Sequence, residues 1–290
     1  MSTTSSAPAR RVSIPDLFEH KRAGRPIVMV TAYDYPSGVA AEAAAVDIVL
    51  VGDSGAMTVL GHPDTVSVTL DEMLVLAKAA RRAVRTPLLV VDLPFGSYEV
   101  SDELAVATGV RILKESGADA VKLEGGGPVS VARARALVGA GIPVMGHVGL
   151  TPQTATALGG YRAQGRTAAS ALTVARGARA LQDAGCFSIV FEAIPSEVTD
   201  AVMASLTVPV IGIGAGPGTD GQVLVFHDLL GIRDGAGARF VRRYADLQTA
   251  MNDGVRAYAN EVRDRSYPAP EHTYGMPAEE LVQFRRELAG

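Results

Sequence analysis

Ala120-Val121-Lys122-Leu123-Glu124-Gly125-Gly126-Gly127 is the stretch from which the chain is best read. Its first five residues have the make-up of a buried strand, and the three glycines end it. Alternate side chains of a strand point to opposite faces. Val121 and Leu123 therefore share one face, and Lys122 and Glu124 the other. Burying two charges costs roughly several kcal/mol per ion unless they are paired or bind something. Just before a Gly-rich loop, the pair reads as the floor of an active site. Taken alone, it reads equally well as a structural salt bridge at a strand end.

Working outward, the same device recurs. A helical segment ends in Gly, and a short aliphatic strand follows: Gly117 before Val121, Gly141 before Val144, Gly185 before Ile189. Further strands are expected at Ile27–Thr31, Ile48–Val51, Leu88–Asp92, Pro143–His147, Ser188–Glu192 and Pro209–Ile213, with a weaker eighth at Leu224–Phe226. Between them lie helix signals. Asp34 and Pro36 open one helix, Thr69-Leu70-Asp71-Glu72 is a capping box, and Ser101-Asp102-Glu103 opens another that Gly117 closes. Leu70, Met73, Leu74 and Ala77 follow the apolar spacing of a helix face.

Strands alternating with helices imply right-handed βαβ units and a parallel sheet. Six strand ends fall at residues 53, 92, 124, 147, 192 and 214, a mean spacing of about 32 residues. An eight-unit barrel of about 250 residues needs that spacing. The expected fold is thus α/β, an eight-stranded parallel (βα)8 TIM barrel with extra N- and C-terminal helices. A doubly wound open sheet would leave much chain unused, and no Gly-x-Gly-x-x-Gly follows the first strand. Residues 1–10, rich in Ser, Thr and Ala, read as a flexible start, 11–276 as one barrel domain and 277–290 as a helical extension. Ser13-Ile14-Pro15-Asp16-Leu17 starts a short helix suited to plugging one end, and Leu247–Arg263 reads as a further helix.

Composition narrows the function. The 290 residues carry 27 Lys and Arg against 31 Asp and Glu, no Trp and few other aromatics. Such a chain has no basic, stacking surface for nucleic acid. No apolar run approaches the ~18 residues needed to span a bilayer, and no signal-peptide core stands at the start. Cys186 is the sole cysteine, read as core, so no intrachain disulfide forms and a reducing, cytoplasmic setting fits.

Barrel enzymes carry their reactive groups at the C-terminal ends of strands. Those ends here hold Asp53, Asp92, Glu124, His147 and Glu192, with Lys122 one pleat below. Carboxylates gathered in one pocket repel one another and call for a cation or a shared proton. Oxygen ligands without Cys favour magnesium over zinc. Asp53, Asp92 and Glu124 are therefore expected to hold Mg2+. A chelating 2-oxo acid would suit such an ion, with Lys122 neutralising its carboxylate or an enolate and Glu192 left as a free base. His147 reads either as a substrate or cofactor contact or as a hydrogen-bonded structural residue. Gly212-Ile213-Gly214-Ala215-Gly216 fits a phosphate loop or, with less demanded of it, a close-packed turn. Arg162, Gln164 and Arg166 lie in a loop that could cover the mouth or simply be solvated, while His62, His227 and His272 read as ordinary polar positions.

Several motifs occur in a telling order: Gly52-Asp53-Ser54, Asp92-Leu93-Pro94-Phe95, Val121-Lys122-Leu123-Glu124-Gly125-Gly126, His147-Val148-Gly149-Leu150-Thr151-Pro152-Gln153, Gly159-Gly160-Tyr161-Arg162-Ala163-Gln164-Gly165-Arg166, Ile211-Gly212-Ile213-Gly214-Ala215-Gly216 and Asp220-Gly221-Gln222. Together, over residues 12–274, the chain resembles the ketopantoate hydroxymethyltransferase family. The resemblance implies a (βα)8 barrel, bound magnesium and a homodecamer. It also implies transfer of a one-carbon unit from 5,10-methylenetetrahydrofolate to 3-methyl-2-oxobutanoate. Carried over by position, Asp53, Asp92 and Glu124 are implied as metal ligands. Asp53, Ser54, Asp92 and Lys122 are implied as oxo-acid contacts, and Glu192 as the proton acceptor. A magnesium-dependent carbon–carbon or carbon–phosphorus lyase would handle similar enolates, but its reactive cysteine loop has no counterpart in Cys186. A non-catalytic oxo-acid sensor is the other alternative.

Overall fold

Eight short strands, every one parallel to its neighbours, close on themselves in sequence order. They are β1 (Ile27–Thr31), β2 (Ile48–Val51), β3 (Leu88–Asp92), β4 (Ala120–Lys122), β5 (Val144–Gly149), β6 (Ser188–Glu192), β7 (Val210–Ile213) and β8 (Gly221–Leu224). Closure is made by β1 and β8, with Ile27 opposite Gly221 and Val30 opposite Leu224. The computed structural model describes residues 10–233, 235 and 237–290. The flexible start expected over 1–10 lies, apart from Arg10, outside the described residues. The (βα)8 barrel expected from the alternating pattern is the observed architecture.

The pleat sorts side chains into two cores. Val49, Val51, Leu89, Val91, Val121, Leu123, Ile189 and Phe191 face outward into an apolar layer shared with the helices. Ile48, Leu50, Leu88, Val90, Ala120, Met145, Val190 and Ile211 fill the barrel interior. Leu17, fully buried on the helix Ile14–Arg22, joins that interior cluster and plugs it. The barrel is thus packed with side chains below and turns polar only at the strand ends.

Local chemistry explains the helix boundaries. Thr69 accepts from the Glu72 amide while Glu72 reaches back, starting Leu70–Ala83. Asp34 and Ser101 also cap their helices, accepting from the Ser37 and Leu104 amides. Gly117 ends Asp102–Ser116 at φ 72°, a left-handed conformation suited to Gly.

Strand limits differ from expectation at four strands, with β7 starting at Val210 in place of Pro209. β4 stops at Lys122, so Glu124 stands beyond the ladder, and β5 runs on to Gly149. The eighth strand lies earlier than Leu224–Phe226: it is Gly221–Leu224, and Phe226 begins a short helix. Gly221 packs so tightly that a Cβ there would sit 2.3 Å from the Ile27 carbonyl oxygen. Gly and the outward-facing, exposed Gln222 hid this strand from a search for aliphatic runs.

The chain divides into a unit ending at Tyr244 and a second, Ala245–Gly290. The second contains the helices Leu247–Asp264 and Ala278–Leu288, at the positions where helices were expected. Among the described residues no helix is long and apolar enough to cross a membrane.

Candidate active site

The strand ends converge on one cavity of about 800 Å³, lined by Asp53, Ser54, Asp92, Lys122, Glu124, His147 and Glu192 among others. Asp92 and Glu192 are the last residues of β3 and β6, and Lys122 is the last of β4. Asp53 sits in the turn after β2, Glu124 one residue beyond Leu123, and His147 inside β5. Asp53, Asp92, Lys122, Glu124 and His147 are each 4% exposed or less. Glu192 is more open, its side chain 16% exposed.

Asp53, Asp92 and Glu124 each have one carboxylate oxygen held by a hydrogen bond. Asp92 Oδ2 accepts from the Asp53 backbone N–H at 2.9 Å. Asp53 Oδ2 accepts from Gln153 Nε2 at 2.9 Å, and Glu124 Oε2 accepts from the Gln153 backbone N–H at 3.0 Å. The second oxygens are differently placed. Glu124 Oε1 is buried without a hydrogen-bond partner among the described residues. Asp92 Oδ1 lies 2.8 Å from Lys122 Nζ, an ion pair without a well-directed hydrogen bond. His147 bridges the group, with Nδ1 3.5 Å from Glu124 Oε1 and Nε2 3.3 Å from Glu192 Oε2. Ser54 Oγ is 2.8 Å from the Tyr33 hydroxyl.

Burial, then the charges of Glu124 and Asp92, hold the Asp53 carboxyl well above its usual range. Burial also lifts Asp92, although Lys122 opposes it. For Lys122, burial favours the neutral amine, but Asp92, Glu124 and Asp53 outweigh it and raise the pKa. His147 is likewise disfavoured as a cation by burial and by Lys122. Its contacts with Glu124 and Glu192 prevail and raise it to about 9. The pocket is short of positive charge by its own chemistry.

Among the described residues, no three His, Cys, Asp or Glu side chains form a ready-made metal cage. Asp53, Asp92 and Glu124, expected as ligands of Mg2+, thus line one cavity without forming such a cage. The unpartnered Glu124 oxygen and the acceptor-only donor set fit a hard cation.

The remaining expectations divide. Tyr161 and Ala163 bring the loop after Gly160 to the cavity, and the Gln164 N–H fastens it to the Ala193 carbonyl at 2.9 Å. Gly214 and Gly216 adopt positive φ, and a Cβ on Gly214 would meet the Phe240 ring at 2.5 Å, which fits the close-packed turn. His62 pairs with Glu72 at 3.4 Å, His227 lies 5.6 Å from the Tyr33 ring, and His272 lies beside Tyr267 in the second unit. Cys186 is buried, as expected of core. Gln153 and Tyr98 are site residues that sequence reasoning missed. Gln153 stood in the quoted Thr151-Pro152-Gln153 motif, but nothing local tied it to Asp53.

A family model described as ketopantoate hydroxymethyltransferase matches residues 11–270. The chain is 49% identical over 287 residues to 3-methyl-2-oxobutanoate hydroxymethyltransferase 1, mitochondrial, of Arabidopsis thaliana, covering 97% of this chain and 83% of that protein. It is 52% identical over 264 residues to 3-methyl-2-oxobutanoate hydroxymethyltransferase of Moorella thermoacetica, covering 91% and 98%. Among solved structures it is similar in fold to a phosphonopyruvate hydrolase complexed with oxalate and Mg++, at TM-score 0.58 and 14% identity over 95% of this chain and 96% of that one. It is similarly related to 2,3-dimethylmalate lyase, at TM-score 0.57 and 18% identity over 96% and 99%.

Proposed function

This chain belongs to the ketopantoate hydroxymethyltransferase family, and we propose that it transfers a hydroxymethyl group from 5,10-methylenetetrahydrofolate to 3-methyl-2-oxobutanoate. The products are 2-dehydropantoate and tetrahydrofolate, a step toward pantothenate and coenzyme A. One observation carries the reading: three buried carboxylates, Lys122, His147 and the more open Glu192 line a single cavity at the mouth of the barrel.

Asp53, Asp92 and Glu124 would hold a magnesium ion, which when bound supplies Lewis-acid polarisation of the substrate ketone. Ser54 and Lys122 orient the oxo acid, and the Lys122 charge offsets its carboxylate. Glu192 accepts the proton from C3, and the electrons of the broken C–H bond form the enolate. His147 Nε2 lies 3.3 Å from the Glu192 carboxylate. The folate methylene carbon loses its bond to one of its two folate nitrogens, which takes up a proton, and C3 bonds to the iminium carbon so formed. Water breaks that carbon's bond to folate nitrogen, supplying the hydroxyl oxygen and returning a proton to the nitrogen. General-base action of this kind is worth about 10²–10⁴-fold.

Supporting this reading are the nearly full-length relatives with that printed activity. A homodecamer and a cytoplasmic setting belong to the same proposal. The deciding assay measures 2-dehydropantoate formed with and without folate and Mg2+. Product is expected only with both. Cleavage of the oxo acid, or saturable binding with no turnover, would sink the reading. In Glu192→Gln, exchange of the C3 proton for deuterium should fall at least about 100-fold. Exchange at the wild-type rate removes Glu192 from the role.

A further inference from the structure

Gln153 is 4% exposed and makes four hydrogen bonds within the site. Its Nε2 donates to Asp53 Oδ2 and to the Leu93 carbonyl, both at 2.9 Å. Its Oε1 accepts from the Tyr98 hydroxyl at 2.8 Å, and its backbone N–H donates to Glu124 Oε2 at 3.0 Å. Tyr98, 3% exposed, in turn accepts from the Glu124 backbone N–H at 3.3 Å. The amide orientation is therefore determined. The Leu93 carbonyl and the Asp53 carboxylate can only accept, so Nε2 must face them and Oε1 must face Tyr98.

From this network we infer that Gln153 is a positioning residue, with Tyr98 as its support. It holds one oxygen of Asp53 and one of Glu124, leaving the other oxygen of each available to a cation. A neutral amide suits the place. A Lys would supply a rival cation, and a Glu would add a further carboxylate to a pocket already rich in them. The inference rests on the reading of Asp53 and Glu124 as cation ligands. Partners that orient ligating carboxylates typically contribute about 10–100-fold in metal affinity.

The test is Mn2+ binding to the intact protein, followed through the electron paramagnetic resonance signal of the free ion, with no oxo acid or folate present. Gln153→Met keeps the length and removes both amide roles while leaving the backbone contact to Glu124. Affinity is expected to fall about 10-fold or more, with the thermal midpoint little changed. Tyr98→Phe removes only the hydroxyl, leaves Gln153 Oε1 without its donor, and should weaken Mn2+ by a smaller factor. It decides the matter if Gln153→Met does not fold. Wild-type Mn2+ affinity in both folded variants, or in Tyr98→Phe alone if the other fails, overturns the role of Gln153 and leaves the proposed function standing. No Mn2+ uptake by the wild-type protein overturns the cation reading and this inference together.

Discussion

Lys122 Nζ lies 2.8 Å from Asp92 Oδ1, with the two side chains only 5% and 3% exposed. Such a pair is hard to do without in halves. Removing one partner strands a buried charge at a cost of about 3–5 kcal/mol, whereas replacing both can be nearly neutral. Lys122→Met is therefore expected to lower unfolding free energy by about 3 kcal/mol or more in urea titrations. The double variant Lys122→Met with Asp92→Asn should recover much of that stability and none of the activity. A single variant as stable as wild type would show that Asp92 finds its compensation elsewhere.

Gly149 sits at φ 101°, and a Cβ there would lie 2.2 Å from the Glu192 carbonyl oxygen. Both the dihedral and the contact exclude a side chain. Gly149→Ala is expected to destabilise by about 2 kcal/mol or more, combining strain with displaced backbone. Because the clash is with the backbone of Glu192, proton exchange at the oxo acid C3 should slow as well. Exchange measured by proton NMR on protein that remains folded checks this.

Leu17 is fully buried and seals the interior cluster formed by Ile27, Met29, Ile48 and their neighbours. Leu17→Ala should cost about 2–5 kcal/mol, the range for a core truncation that leaves a cavity. The site lies at the strand ends, so activity of the folded variant is expected to stay close to wild type below its melting point. Thermal unfolding and the folate-dependent assay read the two effects separately.

Burial pushes the Cys186 thiol up to about 12 from an ordinary value near 9. The thiol is neutral when protonated, so the stability it contributes is complete below the unfolded value and is lost as pH rises through about 12. At pH 8 the native protein should react slowly with a disulfide reagent, and urea should release one thiol per chain at once. Rapid labelling of the native protein would show that Cys186 is reachable.

The sequence alone determined the barrel, because strand faces and helix caps depend on neighbours a few residues apart. Alternation at Val121-Lys122-Leu123-Glu124, the Thr69 capping box and the Gly117 stop all need no distant partner. Strand spacing and strand-end charge also place Asp53, Asp92, Glu124, His147 and Glu192 at one rim. Tertiary structure decided what lies between those groups. Gln153 and Asp53 are 100 residues apart, so no local pattern announces their hydrogen bond or says which oxygen of Asp53 is left free. The same reason hid β8: Gly221 is required by the nearness of Ile27, not by anything beside it in the chain. Hydrogen-bond direction and steric exclusion act over a few ångströms, and only the closed barrel brings these atoms that close.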